Sequence, residues 1–210
     1  MTSANKRAVL FDMDGVLIDA REWHYDALNE ALEIFGFSIS KKDHIERFNG
    51  MTTRSKLQVL SKEFGLPENL HSLISDVKQD RTLRIAAANC FPNAQHLILI
   101  SRLREIGISV GVVTNSIRRT TEFMLNYAGI LDYLDVLITN EDVSSGKPSP
   151  EGYLMAMDKL HMPPEATWVV EDGEYGIQAA ELAGANVIRV SSPADVNLQI
   201  FEKVFPEMMS

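Results

Sequence analysis

The sequence predicts an α/β fold: a Rossmann-like doubly wound parallel sheet, with an all-helical domain inserted after its first strand. Three observations predict it. Short apolar runs alternate with helical patterns over most of the chain, which is the mark of a parallel sheet covered on both faces. Residues 20–88 are the exception, with helical periodicity throughout and no strand-like run. Polar and charged residues gather just past the apolar runs, at the strand ends where an open α/β sheet takes its ligands.

The first strand is Ala8-Val9-Leu10-Phe11, running into Asp12-Met13-Asp14-Gly15. A continuous apolar run reads as a strand buried on both faces. Side chains alternate along a strand, so Asp12 and Asp14 share a face and Met13 opposes them. Two carboxylates that close repel by roughly 4 kcal/mol at an effective dielectric near 20, which calls for a cation or a proton. Residues 21–35 carry apolar side chains at helical spacing (Trp23, Ala27, Leu28, Ala31, Leu32, Phe35), stopped by Gly36. Ser40-Lys41-Lys42-Asp43 resembles a capping box that opens a second short helix. The chain breaks at Gly50-Met51-Thr52-Thr53, and Thr53 is placed to cap a helix over 54–64 that ends at Gly65. Pro67 opens a longer helix to residue 88.

From Phe91-Pro92 the alternation begins. It predicts a helix over 96–105, a strand over 108–114, a helix over 117–127 and a short strand over 136–139. Ser149-Pro150 gives a cap and a first-turn proline for a helix to residue 160. A strand over 168–171, a helix to residue 183 and a strand over 186–190 complete the pattern. The expected division is therefore a core of residues 1–19 and 89–210, and a helical cap of residues 20–88.

Composition narrows the classes. The 210 residues are 45% hydrophobic and 23% charged, with a net charge of −9, ordinary for a soluble globular chain. The negative balance argues against a nucleic-acid partner. No apolar run is long enough to span a membrane, and the polar start is no signal peptide. The single cysteine, Cys90, fits a reducing cytoplasm and reads as core filler. A monomer is expected.

Four strand ends carry the candidate chemistry: Asp12 and Asp14 after the first, Thr114-Asn115-Ser116 after the second, Lys147 in the loop after the third, and Glu171-Asp172-Gly173 after the fourth. Each alone has an ordinary reading as a cap, a turn or a solvated charge. All four on one sheet edge converge on one crevice.

The set resembles the haloacid dehalogenase superfamily, phosphatase branch. The resemblance rests on Phe11-Asp12-Met13-Asp14-Gly15-Val16-Leu17-Ile18-Asp19, Val112-Val113-Thr114-Asn115-Ser116, Gly146-Lys147-Pro148-Ser149-Pro150, and Val169-Val170-Glu171-Asp172-Gly173 followed by Gly176-Ile177-Gln178-Ala179-Ala180. It covers nearly the whole chain, in the family's order. The helical insert is similar to the cap of the subfamily that includes β-phosphoglucomutase and many small-metabolite phosphatases. The resemblance implies a Mg²⁺-dependent phosphatase of a small phosphorylated metabolite such as a sugar phosphate, working through an aspartyl-phosphate. Two alternatives are a β-phosphoglucomutase-like mutase and a non-catalytic receiver-like module.

Under that resemblance Asp12 is the nucleophile, and Asp14 is general acid and then base, lending its carbonyl to the metal. Thr114 and the backbone near Asn115 hold the phosphoryl oxygens. Lys147 neutralises Asp12 and the transferring group. Asp172 coordinates Mg²⁺ with Glu171 beside it, an all-oxygen set suited to that ion. Gly173 departs from the serine common in relatives. In the cap, His24, Lys78 and Arg54 are the substrate candidates, with Arg81 a further cation. Thr53 stands where the mutase carries its phosphate-binding arginine, so Arg54 lies one position off and about 100° round the helix.

Overall fold

The computed structural model describes residues 6–48 and 51–209. Five strands form one parallel sheet: β1 (Arg7–Phe11), β2 (Ile108–Val113), β3 (Val136–Ile138), β4 (Thr167–Glu171) and β5 (Asn186–Arg189). Their spatial order is β3-β2-β1-β4-β5. The chain winds outward from β1 to β3, then returns to the far side of β1 for β4 and β5. The direction reverses between β1 and β4, and a doubly wound sheet opens its ligand crevice at that reversal.

Nine helices accompany these strands among the described residues: α1 (Arg21–Glu33), α2 (Lys41–Glu46), α3 (Thr53–Phe64), α4 (His71–Asn89), α5 (Ala94–Glu105), α6 (Arg118–Tyr127), α7 (Glu151–Leu160), α8 (Glu174–Leu182) and α9 (Leu198–Glu202). The alternation along β1 sorts the two faces. Val9 and Phe11 pack with α5, α6 and α9 in one cluster, whereas Leu10 packs with α7 and α8 in a second. All four residues of the run Ala8-Val9-Leu10-Phe11 are fully buried; a buried Phe or Leu contributes about 1.5–3 kcal/mol.

Helices α1 to α4 close around a third cluster of their own, built on Leu28, Leu32, Phe48, Leu57, Leu60 and Ile74. Gly65 ends α3 in the left-handed region. The Ser40 hydroxyl accepts the Asp43 N–H, as expected of a cap, and the Asp43 carboxylate accepts from that same hydroxyl.

Most element ends shift by one or two residues from the sequence reading, and three further differences concern local structure. Thr52, not Thr53, caps α3, accepting from the Ser55 N–H at 3.1 Å; adjacent threonines offer the same chemistry, and the backbone turns helical after the first. Pro67 precedes a single 3₁₀ turn, Glu68–Leu70, before α4 begins. The carboxy-terminal segment, beyond the last element read from the sequence, forms α9 and buries Phe201 and Phe205 under the sheet. The break expected at Gly50 lies outside the described residues.

Candidate active site

The first carboxylate sits where the ladder ends. The Asp12 N–H still donates to the Val170 carbonyl at 2.9 Å, so Asp12 is held like a strand residue. The chain then turns tightly: the N–H groups of Leu17 and Ile18 both donate to the Met13 carbonyl, and Gly15 takes φ +95°. A side chain at Gly15 would collide with Asp172, its Cβ falling 2.3 Å from Oδ2. Met13 is buried in the apolar cluster under the sheet, leaving Asp12 and Asp14 on the crevice side.

Lys147 ties the centre together. Its ammonium donates to Asp12 Oδ1 at 2.5 Å, Glu171 Oε1 at 2.6 Å and the Val113 carbonyl at 2.8 Å. Burial alone would depress this lysine; Asp12 and Glu171 hold it up at about 12. Asp12 is pushed well above the ordinary carboxylate value by burial and by Glu171, with Lys147 opposing. The Asn115 side chain straps the Lys147 loop by accepting its N–H at 2.9 Å and donating to its carbonyl at 3.2 Å. Thr114 is buried beside them, and its hydroxyl accepts the Ser116 N–H.

Asp14 faces the helical insert. Its Oδ2 accepts from the Ser116 hydroxyl at 2.7 Å, and its Oδ1 lies 3.1 Å from His24 Nε2. Lys78 Nζ lies 3.0 Å from His24 Nδ1. An ammonium only donates, so Nδ1 accepts and the proton sits on Nε2, pointing at Asp14. Burial would raise Asp14; its contact with His24, the Ser116 hydroxyl and Lys78 together outweigh it and lower the value. Burial and Lys78 lower His24, and burial lowers Lys78 to about 8.

The carboxylates of Asp12, Glu171 and Asp172 each bring an oxygen to within 4.8 Å of the others. Asp172 is raised to about 6 by burial and by Glu171, against Arg21, whose guanidinium lies 3.4 Å away. Three carboxylates against Lys147 and Arg21 leave net negative charge, and this all-oxygen cluster fits a hard divalent cation such as Mg²⁺. The Asp14 carboxylate is not among the three, because it is turned toward His24 and Ser116. Glu171 is already engaged by Lys147 and by the Tyr153 hydroxyl at 2.6 Å. Gly176 makes room for it: a Cβ there would fall 1.8 Å from Glu171 Oε1. At Gly173 the space is open, so a serine hydroxyl is missing there without being sterically barred.

These groups line one cavity of about 530 Å³ between the sheet edge and the insert. His24, Lys78 and Arg54 line it, with Arg54 exposed. Arg81 does not; its guanidinium pairs with Glu30 at 3.2 Å. The sequence reading put Ser116 in a strand-end cluster without its bond to Asp14, and it missed three contributors: Tyr153 on Glu171, Arg21 on Asp172, and Lys56 in the cavity wall. Ser116 lay inside a quoted motif. The other three carry no local signal, being ordinary residues on amphipathic helices.

A family model described as haloacid dehalogenase-like hydrolase matches residues 9–190. The phosphorylated carbohydrates phosphatase of Thermotoga maritima is 28% identical over 84% of this chain and 81% of its own length. Hexitol phosphatase A of Escherichia coli is 28% identical over 90% and 85%. Among solved structures, β-phosphoglucomutase of Clostridium difficile superposes with a TM-score of 0.82 at 21% identity, covering 97% of this chain and 99% of that one. At that identity the likeness shows the fold alone.

Proposed function

The chain belongs to the haloacid dehalogenase-like hydrolases and is a phosphoric monoester hydrolase, and from this premise we propose that it hydrolyses a small phosphorylated metabolite, of the sugar-phosphate kind, through a phosphoryl group carried on Asp12. One observation carries the reading. Asp12 faces a cavity at the reversal point of the sheet, with Lys147 on its carboxylate and Asp14 on the same side.

Asp12 attacks phosphorus and forms the acyl phosphate as the ester oxygen leaves. Asp14 gives that oxygen a proton, then takes one from the water that attacks phosphorus and frees Asp12. The contacts from His24, Ser116 and Lys78 favour the Asp14 carboxylate, the form needed for the second step. Lys147 and Thr114 hold the transferring group, and Lys147 offsets charge on both Asp12 and the phosphoryl oxygens. Asp12, Asp172 and the Asp14 carbonyl would hold Mg²⁺, with Glu171 behind them. Bound there, the ion neutralises phosphoryl charge. We further propose that residues 20–88 act as a cap over this site, closing it to water.

The test is release of phosphate from a panel of phosphorylated metabolites, with Mg²⁺ and with a chelator. The same screen follows conversion of β-glucose 1-phosphate to glucose 6-phosphate, the mutase outcome. Phosphate release is expected with Mg²⁺, and none from a folded Asp12→Asn variant. Turnover by that variant, or no release from any ester, overturns the reading.

A further inference from the structure

Arg21, the first residue of α1, reaches from the insert to one of the three clustered carboxylates. Its guanidinium lies 3.4 Å from Asp172 Oδ2, and its Nε lies 3.8 Å from Asp19 Oδ1. The mechanism gives it no part. It lines the cavity, and its side chain is 40% exposed against 9% for Asp172.

The charges of the cluster are shared unevenly. Lys147 pairs with Asp12 and Glu171 and leaves Asp172 out. Among the described residues Arg21 is the one cation paired with Asp172, and it offsets the charge of Glu171 there more than Lys147 does. The Asp172 carboxylate also packs directly on the Gly15 backbone, where even a Cβ would fall 2.3 Å from Oδ2. An ion that takes Asp172 as a ligand therefore meets a carboxylate already in use.

The pair is one that an ion can displace. At 3.4 Å it is a long, single contact, unlike the two-pronged grip a guanidinium makes on a carboxylate at its best. A divalent ion must either push the guanidinium off Asp172 or bind beside it. The first loses the pair, and the second sets like charges together in a partly buried site. Both lower the ion's affinity.

We propose that Arg21 is a built-in counter-ion that sets the divalent-cation affinity of this site, holding Asp172 until an ion displaces it. The proposal rests on the metal reading of the cluster. Arg21 belongs to the insert and Asp172 to the sheet edge, so loading the ion also removes a contact between the two. By linkage, the ion and that contact weaken each other equally.

The test is calorimetric titration of the chelator-stripped full chain with Mg²⁺ alone, in the wild type, Arg21→Met and Arg21→Lys, with circular dichroism confirming each fold. Arg21→Met keeps an apolar stem and removes the charge, so Mg²⁺ should bind about three- to tenfold more tightly, the worth of a partly exposed ion pair facing a doubled charge. Arg21→Lys keeps the charge and should stay near the wild type. Mg²⁺ binding by Arg21→Met but not by the wild type would uphold the proposal in its extreme form. Equal affinity in the wild type and Arg21→Met would overturn it and leave the metal reading intact. Weaker binding by Arg21→Met would also overturn it, since Arg21 would then orient Asp172 for the ion. Arg21→Lys binding as tightly as Arg21→Met would assign the effect to packing and overturn it too. No Mg²⁺ binding by any of the three would overturn the metal reading and this proposal with it, while phosphate release still decides the phosphatase reading.

Discussion

Replacing Lys147 with Met keeps most of the side-chain volume and removes the charge between Asp12 and Glu171. Their carboxylate oxygens approach within 4.8 Å, so two unscreened anions there repel by about 3.5 kcal/mol at an effective dielectric near 20. That agrees with the roughly 3–5 kcal/mol lost when one member of a buried pair is removed. The pH dependence fixes the sign. Burial and Glu171 push Asp12 up and Lys147 opposes them, so in the variant its folded-state value stands further above the unfolded one, the folded state binds more protons, and stability falls as pH rises. The deficit should be full at pH 8 and shrink toward pH 5. Urea denaturation at both pH values measures it, with circular dichroism confirming a folded variant. The turnover rate should fall about 10²- to 10³-fold. A deficit below about 1 kcal/mol at pH 8, or one that grows toward pH 5, would refute the reasoning.

Gly176→Ala places a Cβ against Glu171 Oε1; Glu171 must then leave Lys147 and Tyr153, so stability and turnover should fall together, read by melting temperature and phosphate release. Asp172, raised to about 6 by burial and Glu171, takes up a proton below that pH, and a protonated carboxyl is a poor ligand. Mg²⁺ affinity by calorimetry should therefore weaken steeply below pH 6, and a flat profile would remove Asp172 from the metal site. Lys78→Ala frees His24 Nδ1 and empties part of the cavity wall, so kcat/KM should drop more for a preferred metabolite than for p-nitrophenyl phosphate; an unchanged ratio would make Lys78 irrelevant to substrate choice.

The core of the site was legible because strand ends are legible. Asp12, Thr114, Glu171 and Asp172 close apolar runs, Lys147 lies in the loop that follows one, and a parallel sheet brings such ends to one edge whatever the strand order. The strand order itself was not in the periodicity. It depends on which edge each crossover chooses, and so does the reversal beside β1. Contacts between the insert and the core were less legible still. His24 and Lys78 could be named as candidates, but their meeting at Asp14 depends on how α1 and α4 stand over the sheet. Tyr153 on α7 reads as a core aromatic, and only the height of α7 against β4 sets its hydroxyl on Glu171. Lys56 occupies a helix position whose neighbours, Leu57 and Leu60, are buried, and nothing local marks it as part of the cavity wall. Arg81 had the right charge and lies on α4 with Lys78, but its partner is Glu30 on α1.

The most direct test of the central claim, that Asp12 itself accepts the phosphoryl group, is the stereochemical course at phosphorus. A phosphoester made chiral at phosphorus with oxygen isotopes and sulfur is hydrolysed in labelled water, and the configuration of the released thiophosphate is determined. Two successive in-line displacements, first by Asp12 and then by water, give net retention, which is the expected result. Inversion would mean that water attacks the ester directly, and would contradict the role assigned to Asp12.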